Sequence, residues 1–163
     1  MTYLIIAIVV AALISPFMVL KPSPRQKTIL KIRQRAQQRG LQVQVMIEAI
    51  TDQEGLHPTV MRYYVPWLAK DLAQAGSSSW LLVRDQGRGR AARWQGWSWP
   101  GAEAPAHHQK AIDKVIGALP NSVNAVSKDG QGVGVYWQES DGLDLIDEIE
   151  AKIKIIYQNI IEL

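Results

Sequence analysis

Residues 3–20 (YLIIAIVVAALISPFMVL) carry no charge, and the segment that follows carries charge of one sign only. This junction limits the possible architectures more than any other stretch of the chain. Eighteen residues at 1.5 Å each reach about 27 Å as a helix, close to a hydrocarbon core of about 30 Å. Only Ser15 and Pro16 interrupt the run. A serine hydroxyl can bond back to a helical carbonyl, and a proline near the end of a span kinks it at little cost. Tyr3 stands at one interface, and Lys21 can snorkel to the headgroups at the other. A cleavable signal peptide needs a positive n-region and a small-x-small site, and neither Met1-Thr2 nor Val19-Leu20-Lys21-Pro22 supplies one. A core helix would carry a polar face, which this run lacks. The expectation is one uncleaved transmembrane anchor over residues 1–21.

Lys21, Arg25, Lys27, Lys31, Arg33, Arg35 and Arg39 follow with no acid among them. The positive-inside rule then puts the N-terminus outside and the C-terminal domain in the cytoplasm, at the inner (plasma) membrane of a cell. Residues 22–40 read as a basic juxtamembrane helix. Ser23-Pro24 is a fitting N-cap and N1 pair, Gly40 a fitting C′ residue, and Ile29, Ile32 and Ala36 form an apolar face with Leu30 to one side. The seven cations are expected membrane-surface contacts, because each Lys or Arg near anionic headgroups contributes about 1 kcal/mol. The plainer alternative is a topology determinant on a solvated helix that packs against the domain.

Thr2 in place of glycine excludes myristoylation, and the absence of cysteine excludes acylation, disulfides, thiol nucleophiles and cysteine-held metal sites. The stretch Lys21-Pro-Ser-Pro-Arg-Gln-Lys27 resembles the junction of the YajC family of accessory translocase subunits. The resemblance is confined to the anchor and this junction. The glycine-containing motif of that family is missing from residues 41–47, so membership is not assigned.

Residues 41–163 are enough for one compact domain. Strands are expected over residues 41–47 (Leu41, Val43, Val45 and Ile47 on one face), 59–65 (ended by Pro66), 80–84 and 92–99, with a helical turn near residues 70–76. These four strands read as an antiparallel meander. A helix over residues 105–119 buries His108, Ala111, Ile112, Val115, Ile116 and Leu119. Residues 122–127 and 132–138 form a hairpin about Asp129-Gly130. Asp141 caps a last helix whose stripe is Ile146, Ile149, Ile153, Ile156, Ile160 and Leu163. The fold class is α+β: an antiparallel sheet of about six strands with two packing helices. The acidic run Glu139, Asp141, Asp144, Asp147, Glu148, Glu150 and Glu162 is the polar side of that helix region, and it matches the collar in charge.

No catalytic residue, metal ligand or cofactor is expected. His107 and His108 point about 100° apart on a helix, and their i+4 partners, Ala111 and Ile112, cannot ligate. Gly130-Gln-Gly132-Val-Gly134 looks superficially like a phosphate loop, but it runs into a strand rather than a helix N-terminus. Arg84, Arg88, Arg90 and Arg93 with Trp94, Trp97 and Trp99 combine the residue types enriched at interface hot spots, and are the expected partner contacts. The same residues also fit a core strand beside a solvated hairpin. Nucleic acid is not the expected partner, because the basicity is local and juxtamembrane.

The functional expectation is a membrane-anchored accessory or tethering protein whose cytoplasmic domain is a protein-interaction module in a larger membrane assembly. The alternatives are a membrane-tethered enzyme using His57, His107, His108 or Asp85, and a membrane-bound nucleic-acid binder. The last helix either closes the domain's own core or forms a dimer seam, and periodicity leaves both open.

Overall fold

The computed structural model describes residues 23–46, 60–84, 89–139 and 142–162. The expected anchor, Lys21, Ile47, His57, Asp85, Arg88, Asp141 and Leu163 lie outside them. Among the described residues no helix is long and apolar enough to cross a membrane.

The elements in order are α1 (Pro24–Gln38), β1 (Gln42–Met46), β2 (Val60–Pro66), α2 (Leu72–Ala75), β3 (Trp80–Arg84), β4 (Arg90–Ala91), β5 (Trp97–Trp99), α3 (Ala106–Asp113), a 3-10 turn (Ile116–Ala118), β6 (Val123–Lys128), β7 (Gly132–Trp137) and α4 (Leu145–Ile161). The seven strands form one antiparallel sheet in the order β1-β2-β7-β6-β3-β5-β4. The class is α+β, as the strand and helix pattern implies.

The meander does not form. β2 and β3 follow one another in sequence but do not pair, because the β6–β7 hairpin lies between them. Packing explains the choice. Gly134 stands opposite Tyr64 and Gly132 opposite Pro66, and a Cβ on either glycine would run into the β2 backbone. Only a strand with glycine at alternate positions can lie this close to the bulky β2.

The expected strand over residues 92–99 is instead a turn followed by the short β5, with β4 folded back on it. Gly96, at φ 76°, takes the left-handed conformation that lets the chain reverse, and the Ala92 N–H donates to the Trp97 carbonyl at 2.9 Å. The helix expected over residues 105–119 keeps its buried stripe but tightens into the 3-10 turn after Asp113.

Alternation along the strands sorts the side chains into two clusters. One contains Tyr63, Leu82, Val126, Val133, Val135 and Trp137, and packs beneath α1, α3 and α4. The smaller one, on the opposite face, contains Val60, Val83, Ala125 and Tyr136. Ile146, Ile149, Ile153, Ile156 and Ile160 are all buried, so the stripe of α4 is used within this chain to close the core. At roughly 25 cal/mol per Å² of apolar area, this stripe is the largest single helical contribution to the core.

Candidate functional site

The basic helix is well specified locally. Ser23 and Gln26 form a reciprocal capping box: the Gln26 N–H donates to Ser23 Oγ at 3.2 Å, and the Ser23 N–H to Gln26 Oε1 at 2.8 Å. At the other end Gly40, at φ 83°, turns the chain so that the Leu41 N–H reaches the Ala36 carbonyl at 3.0 Å. Leu41 is thereby buried beside Ile32 and Ala36. Capping thus fixes where the helix starts, stops and turns into β1.

The inner face of α1 is clamped to the domain by charge. Arg33 makes a two-pronged pair with Glu139, Nε to Oε1 at 2.8 Å and Nη2 to Oε2 at 2.9 Å. Arg35 makes the same kind of pair with Asp147, its Nε lying 3.0 Å from Oδ1. Arg39 reaches both Asp147 and Glu150 at 3.3 Å, and Glu150 is also paired with Lys154. Such fork-to-carboxylate bonds carry geometry as well as energy. The charge match between collar and acidic run is therefore made inside one chain.

Glu139 is the centre of this clamp. It is 8 % exposed and is the one non-glycine residue with positive φ (56°) among those described. It also accepts a hydrogen bond from the buried Tyr63 hydroxyl. Burial, and then the neighbouring carboxylate, push the Tyr63 phenol above its usual range, so it stays a neutral donor. The hydrogen bond from Arg33 to Glu139 raises the guanidinium's proton affinity. The bond from Arg35 similarly holds the Asp147 carboxyl below the usual range. A left-handed glutamate backbone stores strain of order 1 kcal/mol or more, and it persists here because two partners hold the carboxylate.

The outer face of α1 is different. Arg25, Lys27 and Lys31 are exposed and make no ion pair with any described residue. Leu30 sits among them with 60 % of its surface exposed. The seven cations of the collar are thus divided: Arg33, Arg35 and Arg39 meet the domain, Lys27 and Lys31 point away from it, Arg25 is exposed at the start of the helix, and Lys21 lies outside the described residues.

The Arg/Trp group is divided too. Trp97 and Trp99 are buried in the main core. The Arg84 guanidinium stacks 4.8 Å over Trp97 and donates to the carbonyls of Val123, Leu119 and Pro120, and burial lowers its pKa. These three side chains hold the end of the sheet together. At the surface Arg90 pairs with Glu103 at 2.8 Å. Arg93 lies over Trp94, and both donate to Asp113, the Trp94 indole at 2.8 Å. The surface part of the group is therefore Arg90, Arg93 and Trp94.

The two described histidines, His107 and His108, pack edge-on with ring centroids 4.2 Å apart. His107 is exposed, while His108 is buried and accepts from the Trp80 indole, Nε1 to Nδ1 at 3.0 Å. Burial, helped by the positive charges of His107 and Lys128, pushes His108 down to about 4. Its proton affinity is lower folded than unfolded, so the sign is set. Above pH 6.5 it has no effect, and between 6.5 and 4 the unfolded chain gains a proton that the native state refuses. Stability should fall by about 2 kcal/mol between pH 7.5 and pH 5 from this group. Denaturant unfolding at the two pH values checks this, and His108→Asn should remove that part of the slope. Among the described residues no three His, Asp or Glu side chains lie together as metal ligands.

Two buried cations were not legible in the sequence. The Lys128 ammonium donates to the carbonyls of Gly76 (2.9 Å) and Ser78, and burial lowers its pKa. Arg62, on the opposite face of the sheet, pairs with Asp129 at 2.8 Å and lies over the Tyr64 ring. Burial works against the Asp129 charge, but Arg62 outweighs it and holds the carboxyl low. Both cations fasten the β6–β7 hairpin turn to its surroundings. Their only sequence signal was a charge within a strand pattern. Comparison with known protein families, with curated proteins and with solved structures finds no match.

Proposed function

We propose that this chain is a single-pass membrane-anchored accessory or tethering protein, with its α+β domain on the cytoplasmic side as the interaction module of a larger membrane assembly. The observation that carries this reading is the clamp between α1 and the domain. A helix that follows an apolar run directly is joined to the rest of the domain by Ile32, Ala36 and four arginine–carboxylate contacts. An anchor connected in this way sets the orientation of the domain instead of trailing it on a loose linker, and fixed orientation is what an adaptor needs. The surface Arg93–Trp94–Asp113 group, ordered by its own hydrogen bonds, is the partner contact we favour, since rigid aromatic and Arg groups lose little entropy on binding.

The enzyme reading receives less support. His108 spends its acceptor on a core tryptophan, and the exposed His107 packs edge-on against His108. The test is extraction of the tagged, full-length protein from membranes in mild detergent, with co-purifying proteins identified by mass spectrometry. Retention in the membrane after alkaline washing and a stoichiometric membrane partner are the expected results. Release by the wash, or a protein that emerges alone, overturns the reading.

A further inference from the structure

We infer that the outer face of α1 lies flat on an anionic bilayer surface, with Leu30 inserted at the headgroup boundary and Lys27 and Lys31 on lipid phosphates. The inference rests on the anchored topology proposed above and assigns to that topology a specific contact face.

Helix periodicity places Lys27, Leu30, Lys31 and Gln34 together on the side of α1 opposite Ile32 and Ala36. Ile32 and Ala36 are buried against the domain, whereas these four are exposed, Leu30 at 60 %. The helix has no acidic residue anywhere along its length. Every carboxylate that meets it comes from the domain, and each meets an arginine at its flank: Glu139 on Arg33, Asp147 on Arg35 and Arg39, Glu150 on Arg39. The domain has thus neutralised the flank of the helix and left two lysines and a leucine uncompensated on the far side. An exposed leucine between lysines is the pattern of an interfacial helix, where the apolar chain enters the acyl boundary and the ammonium groups remain among phosphates.

Chain length places this face near a membrane. In the sequence the apolar run ends at Leu20, and Ser23, three residues later, caps the helix that Pro24 begins. Lys27 and Lys31 are then about two and three turns along the chain from the end of the apolar run. A protein partner could also cover a leucine. A bilayer is favoured because the cations flanking this one are unpaired and the anchor holds the face at the lipid surface.

The test uses the full-length protein in lipid nanodiscs, either of phosphatidylcholine alone or with phosphatidylglycerol added. The chain has no cysteine, so Leu30→Cys and, as a control on the exposed side of α4, Glu148→Cys each carry a single environment-sensitive fluorophore. The label at position 30 should be shifted to the blue and quenched several-fold more than the control by lipids spin-labelled just below the headgroup, more strongly with phosphatidylglycerol. In a Lys27→Gln/Lys31→Gln background the phosphatidylglycerol dependence should weaken sharply, each lysine shifting the docked-to-undocked ratio about fivefold. Thermal unfolding of that variant should match the parent, since neither lysine makes an ion pair with a described residue of the domain. A label at position 30 that stays as water-exposed as the control in both lipids overturns the inference. So does one that is covered only when a co-purifying protein is added. Either result would leave the anchored topology intact, because that is read separately by the alkaline wash.

Discussion

Glu139→Ala should lower the stability of the detergent-solubilised protein by about 2–3 kcal/mol, because it strips the partner from both a buried phenol and an arginine. The upper range for a broken buried ion pair is not expected, since the far side of Arg33 remains in water. Tyr63 is the greater loss: its ring lies in the core, centroid 5.4 Å from that of Trp137, and Glu139 is the acceptor its hydroxyl has among the described residues. Glu139→Gly should be milder by about 1 kcal/mol, since glycine adopts φ 56° without strain. Unfolding followed by tryptophan fluorescence reads both variants. Equal losses would show that the left-handed backbone is not a source of strain, and no loss in either would show that the clamp contributes nothing.

Gly134→Ala should cost about 3 kcal/mol or more, beyond the usual range for an added methyl in a core. The new Cβ would stand 2.5 Å from both the Tyr63 carbonyl oxygen and the Tyr64 Cβ. Neither can rotate away, so β2 and β7 must separate at their centre. Gly130→Ala, in the turn of the same hairpin, meets nothing within 4 Å and has no positive φ, and should change stability by less than about 0.5 kcal/mol. The pair decides what the glycine-rich stretch is for. Glycines that cradle a phosphate would be most sensitive in the turn, whereas glycines that admit a neighbouring strand are most sensitive inside the sheet. A Gly130→Ala loss as large as that of Gly134→Ala would reverse the assignment.

The elements themselves were largely legible because each is written in local chemistry. Ser23-Pro24 and Gly40 bound α1, Asp129-Gly130 marks its hairpin, and the isoleucines of α4 recur every three to four residues toward the core. Strand partners were not legible. Period-two alternation says which face a side chain takes but not which strand stands beside it, so the β2–β7 pairing appeared only with the fold. The candidate site was half legible. The collar and the acidic run could be matched by sign, but the division of one helix into a clamped flank and an open face depends on where Glu139 and Asp147 arrive in space. Arg84, Trp97 and Trp99 illustrate the converse. Residue types that suit an interface also suit a core, and only burial separates them.

The place of the β6–β7 hairpin in the sheet has a consequence for the growing chain. On synthesis β1–β2 and β3–β5 emerge early; β6 can add to β3, but β2 has no partner on its inner edge and β6 keeps an open edge until residues 132–137 have followed. The strand that joins them is made after both, and the helix that seals it follows later still. Long-range pairing of this kind is slow and leaves open strand edges in the meantime. A ribosome stalled before Gly132 would hold two half-sheets with unpaired edges, and quality-control proteases would find their substrate there.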